Sequence, residues 1–84
     1  MNKVELTEKE IIVLKKFKDD DFVSDVGWEN PKASTWVEDF HKDCKMSGKE
    51  FSGVMSSLVK KDIIWSTGES FGLKDAGREF LKTL

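Results

Sequence analysis

The sequence predicts a mainly α-helical fold with a small β-hairpin near the carboxyl end. At three places a Ser or Thr is followed three positions later by Glu, and apolar residues at helical spacing accompany the pair. This is the sequence form of a capping box, which satisfies unpaired amides at a helix start. After Lys61 the apolar residues alternate, as they do in a strand. A chain of 84 residues is expected to form a single domain over residues 1–84.

The first helix is predicted to begin at Thr7, which forms a capping box with Glu10. Residues 1–5 precede it as an arm or a frayed end. Residues 19–32 are predicted to be an acidic connection, because Asp-rich sequence with a glycine and the chain's only proline is typical of loops. A short helical turn fits at 20–26. Four apolar residues of this connection are expected to fold back on the core: Phe22, Val23, Val26 and Trp28.

The second helix is predicted to run from Lys32 or Thr35 to Lys42, with Thr35 and Glu38 as its capping box. A short turn would then lead into the third helix, and this spacing is typical of a helix-turn-helix. Apolar residues continue the core-facing stripe: Trp36 or Val37, then Phe40 and Cys44.

The third helix, residues 47–61, has the strongest helical pattern in the chain, and Ser47 and Glu50 form its capping box. Its opposite face is unusual because small side chains and lysines stand where a solvated helix would carry longer residues. Small residues allow a close approach to the backbone and lysines favour an anion, so this face is interpreted as a recognition surface. A serine-rich solvated face is the alternative. The core-facing stripe is Phe51, Val54, Met55, Leu58 and Val59, and the opposite face is Lys49, Ser52, Gly53, Ser56 and Lys60.

Residues 63–74 are predicted to form the hairpin, with Gly68 in its turn. Asp75 would then cap a last helix over residues 75–84.

Two stretches resemble the winged helix-turn-helix superfamily. Residues 51–64, FSGVMSSLVKKDII, are similar to the third helix and its exit into the wing. Residues 72–81, GLKDAGREFL, are similar to the segment that closes the wing in multiple-antibiotic-resistance-type regulators. The resemblance implies a winged helix of about four helices and a two-stranded wing, whose third helix enters the major groove of DNA. The sequence departs from the pattern at three positions: Asp62 replaces the usual glycine, Lys74 the usual threonine, and Glu69 lies in a wing tip without Lys or Arg.

Charge is unevenly distributed along the chain. The formal net charge is −2, which is not typical of a strongly basic nucleic-acid binder. Residues 42–61, however, hold five lysines against Asp43 and Glu50, whereas residues 19–30 hold five acids and no base. Such a molecule can present a basic face while remaining acidic overall.

The composition argues against several other classes of protein. The only cysteine, Cys44, cannot form an intramolecular disulfide, which fits a reducing, cytoplasmic location. Cys44 and His41 are too few ligands for a metal site, so no metal or other cofactor is expected. An enzyme is not expected either, because the only histidine has no evident partner to orient it. No apolar run is long enough to span a membrane.

The sequence therefore predicts a small DNA-binding protein, a transcriptional regulator that reads the major groove of double-stranded DNA with residues 47–61. The alternative is a protein-interaction module that uses its acidic surface. A homodimer is left open, with the last helix or the amino-terminal arm as its contact surface. The predicted DNA-binding residues are Lys45, Ser47, Lys49, Ser52, Gly53, Ser56 and Lys60.

Overall fold

A computed structural model describes residues 5–83 of the chain. Most of the predicted arm at residues 1–5 therefore lies outside the described residues, as does Leu84 at the predicted end of the last helix. The described chain is mainly helical and contains one three-stranded antiparallel sheet in the order β1-β3-β2. The elements are α1 (Glu8–Asp19), α2 (Asp21–Val26), β1 (Thr35–Trp36), α3 (Phe40–Asp43), α4 (Gly48–Lys60), β2 (Ile64–Ser66), β3 (Ser70–Leu73) and α5 (Asp75–Lys82).

The first two helices begin at side-chain caps. The Thr7–Glu10 capping box predicted for α1 is confirmed in both directions, since the Thr7 hydroxyl accepts from the Glu10 amide and the Glu10 carboxylate accepts from the Thr7 amide. The short helix predicted at 20–26 is also confirmed. The carboxylate of Asp20 caps it by accepting from the amides of Phe22 and Val23.

The predicted second helix is wrong over most of its length. Thr35 and Trp36 form strand β1, which pairs with β3, and the Val37 amide extends the pairing by donating to the carbonyl of Glu69 at 2.7 Å. β-branched and aromatic residues suit an extended, half-buried strand, and the ladder to β3 satisfies amides that a helix would have satisfied internally. Asp39 then takes a left-handed φ of 62°. Only the single turn α3 remains helical, so the described chain has five helices and three strands.

The predicted hairpin is confirmed as β2 and β3, which pair with Ile64 opposite Leu73. Gly68 has a φ of 96° in the turn, a conformation that favours glycine. Asp62 also takes a left-handed φ, 62°, at the position where the winged-helix pattern that the sequence resembles has glycine. Helix α5 follows, but the prediction that Asp75 caps it is wrong, because Asp75 is the first residue of the helix. The carboxylate of Asp75 pairs with Arg78.

The core lies between α1, α4 and the sheet. Four aromatic rings meet at its centre, with the Phe40 and Phe71 centroids 5.1 Å apart. Of the predicted α4 stripe, Phe51, Met55 and Leu58 are buried, whereas Val59 is 43% exposed. Three other residues predicted to face the core are buried, namely Val23, Phe40 and Cys44, and three are partly buried against it, namely Trp28, Val37 and Val54. The prediction is wrong for Phe22, Val26 and Trp36, which are exposed.

Candidate nucleic-acid interface on helix α4

Helix α4 is held against α1 by a charged cluster that the sequence does not reveal. Glu10 of α1 is 1% exposed. Its carboxylate accepts hydrogen bonds from the Ser57 hydroxyl and the Lys61 ammonium, each at 2.7 Å, besides the one from the amide of Thr7. Because every partner of this buried charge belongs to α4 or to the residues that cap α1 and α4, the cluster fixes how the two helices face each other.

The surroundings of Glu10 also set its ionisation. Burial raises the pKa of the carboxyl, but the hydrogen bonds from Lys61, Thr7 and Ser57 outweigh burial and leave the pKa below its usual value of 4.5. Glu10 therefore remains a carboxylate at neutral pH. The sequence predicts Glu10 only as part of a helix cap, because the fold brings Ser57 and Lys61 to it.

The start of α4 is capped, and a second ion pair links it to α1. The Ser47 hydroxyl accepts from the amide of Glu50 at 3.1 Å. The Glu50 carboxylate pairs with Lys9 of α1 and does not return to Ser47, so the predicted capping box is only half formed. The Lys9–Glu50 pair lies on the α1 side of α4, so the opposite face of the helix is directed toward solvent.

The opposite face of α4, called here the outer face, is exposed to solvent. Gly53 lies in open space, since a Cβ atom added to it would meet no atom within 4 Å. Packing inside the chain therefore does not require a glycine at this position. The outer face consists of the five exposed residues Lys49, Ser52, Gly53, Ser56 and Lys60.

The lysines near α4 fall into two groups. Lys42 and Lys61 belong to the basic stretch of the sequence, but they pair with Asp39 and Glu10. By contrast, Lys45, Lys49 and Lys60 are exposed and form no ion pair within residues 5–83. These are the three lysines that the sequence predicts to contact DNA. Lys45 lies in the turn before α4, with a left-handed φ of 58°.

A groove of about 730 Å³ runs along one side of α4. It separates the helix from residues 37–39 and from the wing turn at Gly68. Helix α4 lines the groove with apolar side chains and with part of the outer face, and Glu38 lies on the opposite wall. The apolar residues are Phe51, Met55 and Val59, and the outer-face residues are Ser52, Ser56 and Lys60. Since Glu69 also lies in the wing turn, the positive surface of the outer face gives way to acidic groups on the wing side. The sequence does not predict this groove, because it predicts a helix over residues 37–39.

Neither a metal site nor a membrane-spanning helix is found in the described part of the chain. No three His, Cys, Asp or Glu residues between 5 and 83 are placed to hold a metal ion. Cys44 is buried, and burial together with the charge of Asp43 raises the pKa of its thiol to about 11. None of the helices described for residues 5–83 is long and apolar enough to cross a membrane.

Comparison of the chain with protein-family models, curated proteins and solved structures gives no match. The resemblance to winged helix-turn-helix domains stays a prediction.

Proposed function

We propose that this chain is a small winged-helix transcriptional regulator that binds double-stranded DNA through the outer face of α4. The observation that carries the proposal is the placement of Lys45, Lys49 and Lys60. They lie at the two ends of an exposed face of small residues, and they have no ion-pair partner within residues 5–83. The order of α3, α4 and the β2–β3 hairpin also agrees with the order that the winged-helix resemblance implies.

The length of α4 suits the major groove. Lys49 and Lys60 are eleven residues apart, which corresponds to about 16 Å along a helix. The major groove of B-DNA is about 12 Å wide and admits an α-helix. Flexible lysines at the two ends of α4 would reach phosphates on the two sides of the groove. Ser52, Gly53 and Ser56 lie between them and would face the base edges.

The remaining predicted contacts have more limited roles. Lys45 would add a phosphate contact before the helix begins. Ser47 uses its oxygen to cap α4, but its hydroxyl proton can still be donated to a phosphate. Serine hydroxyls discriminate poorly among base pairs, so we expect phosphate contacts to dominate affinity and sequence preference to be modest.

The acidic wing side limits how DNA can approach. Glu69 lies in the wing turn and Glu38 on the groove wall facing α4, and both carboxylates would repel phosphates. We therefore expect DNA to contact α4 and the preceding turn without close contact from the wing.

The number of lysines gives a quantitative expectation for salt dependence. Three phosphate contacts correspond to a slope of about −2.7 in a plot of log affinity against log salt concentration. Affinity should then fall about 40-fold between roughly 50 and 200 mM salt. Without Lys49 and Lys60, a single contact would remain and the slope would fall to about −0.9.

Fluorescence anisotropy with a labelled mixed-sequence duplex at low salt tests the proposal. The double variant Lys49→Glu/Lys60→Glu should lose binding. The control Lys15→Glu/Lys32→Glu changes the net charge equally at two other exposed lysines that form no ion pair within residues 5–83, and it should retain most of the binding. Equal loss in the two variants would show that only overall charge matters. Unchanged binding by Lys49→Glu/Lys60→Glu would exclude the outer face.

A further inference from the structure

Exposed apolar side chains are concentrated around α2 and β1. Within residues 5–83, four large hydrophobic residues are exposed, and three of them belong to these two elements. Phe22 is 59% exposed, Val26 follows one helical turn later at 49%, and Trp36 of β1 is 57% exposed. These three side chains remain exposed, whereas four phenylalanine rings pack together in the core. Grouped exposed apolar residues mark interaction sites more often than scattered ones do.

Phe22 and Trp36 line one shallow depression of about 240 Å³, called here the α2–β1 depression. Phe40 and Thr35 also line it, and both are buried core residues. An apolar side chain entering the depression would therefore contact aromatic surface from both elements. Burying an aromatic ring against such a partner is the kind of contact that dominates the energy of an interface.

The rim of the α2–β1 depression is acidic. Four carboxylates line it, those of Asp20, Glu38, Asp39 and Asp43, against the single base Lys42. Two of the carboxylates already have internal roles, because Asp20 caps α2 and Asp39 pairs with Lys42 at 3.4 Å. Glu38 and Asp43 form no ion pair within residues 5–83. The rim thus keeps two negative charges that no described base compensates.

We propose that the α2–β1 depression binds a segment of another protein in which an apolar side chain is flanked by Lys or Arg. The apolar side chain would pack between Phe22 and Trp36, while the flanking cations would meet Glu38 and Asp43. A cation can also lie over the Trp36 ring, as Lys18 already lies over Trp28, 5.2 Å from the ring centroid. The same carboxylates would repel phosphate, so this surface is not suited to nucleic acid. The proposal is independent of DNA binding by α4.

Amide chemical shifts of the isotope-labelled protein test the proposal with three matched short peptides. The first has two leucines flanked by lysines, the second has serines in place of the leucines, and the third has glutamates in place of the lysines. The first peptide should shift amides of α2 and of residues 35–39 in a saturable manner, and the other two should bind more weakly. Absence of shifts, equal binding of the glutamate peptide, or shifts confined to α4 would overturn the proposal.

Two pairs of variants locate the contact. Phe22→Ser and Glu38→Lys should each weaken binding of the first peptide by about 3- to 10-fold, the range expected for exposed apolar and charged contacts. The controls are Val59→Ser, which removes an exposed apolar side chain from α4, and Glu79→Lys, which reverses a charge on α5, and both should bind normally. Circular dichroism checks that each variant is folded. Unchanged binding of the first peptide by Phe22→Ser and Glu38→Lys would refute the proposal. Concentration-dependent shifts of the same amides without peptide would also refute it, because they would assign the surface to a second copy of the chain.

Discussion

Replacing Glu10 by alanine tests whether the buried cluster between α1 and α4 stabilises the fold. The substitution removes a carboxylate that is 1% exposed and that accepts hydrogen bonds from Thr7, Ser57 and Lys61. Loss of a helix cap costs about 1 kcal/mol. Breaking a buried ion pair by removing one partner costs about 3–5 kcal/mol, because the other charge is left uncompensated.

The expected cost lies near the lower end of that range. The Lys61 side chain is 31% exposed, so its ammonium can regain water when Glu10 is absent. We expect Glu10→Ala to lower the free energy of unfolding by about 3 kcal/mol at neutral pH. This is a large share of the roughly 5–15 kcal/mol that stabilises small domains. Glu8→Ala is the matched control, since Glu8 lies in the same first turn of α1 but is exposed, and it should cost less than about 0.5 kcal/mol.

The pH dependence separates the charge from packing. The pKa of Glu10 is lower in the folded chain than its usual value of 4.5. Its ionisation therefore stabilises the fold fully above that value, and the contribution is lost as the pH falls through the folded pKa. Urea unfolding of the wild type, Glu10→Ala and Glu8→Ala at pH 7 and pH 3 measures the effect. The cost of Glu10→Ala should shrink in acid. A cost below about 1 kcal/mol at pH 7, or an equal cost at both pH values, would refute the role assigned to this cluster.

Two further predictions concern backbone packing and the thiol. Gly53→Ala should raise the free energy of unfolding by about 0.5–1 kcal/mol, because alanine is the better helix former and the added Cβ meets no atom within 4 Å. Gly77→Ala should instead lower the free energy of unfolding by about 1–3 kcal/mol, since the added Cβ would lie 2.4 Å from the carbonyl oxygen of Ile63. Thermal unfolding of both variants checks this contrast, and equal effects of the two substitutions would contradict it. The Cys44 thiol, whose pKa is raised to about 11, should react slowly with a disulfide reagent in the folded chain and rapidly in urea at the same pH. Prompt reaction of the folded chain would contradict the burial of Cys44.

Local sequence was sufficient where an element is stabilised mainly by its own residues. The caps of α1 and α4, Thr7 and Ser47, lie beside the amides they bind, so their spacing predicts them. The hairpin was predictable for the same reason, because alternating residues flank a turn that contains Gly68. The outer face of α4 followed from helical periodicity, and the structure places all five of its predicted residues at the surface.

Predictions from the sequence were wrong where a residue distant in the chain decides the local conformation or burial. Thr35 and Glu38 have the spacing of a capping box, yet Thr35 pairs with Phe71 in the sheet. The hydrogen bonds offered by β3 favour the extended chain over a helix that is short and marginal by itself. Val59 has helical spacing with the core, but it lies beside the groove next to residues 37–39 and stays exposed.

By itself, then, the sequence determined the mainly helical composition, the position of α4 and the identity of its outer face, since these depend on spacings of three or four residues. Only the tertiary structure decided which lysines have no ion-pair partner within residues 5–83. Lys61 and Lys60 are neighbours in the chain, but the helical rotation between them directs Lys61 toward Glu10 and leaves Lys60 exposed. Whether a charge is neutralised depends on which residue of another element lies within a few ångströms of it, and that distance is set only when α1 packs against α4.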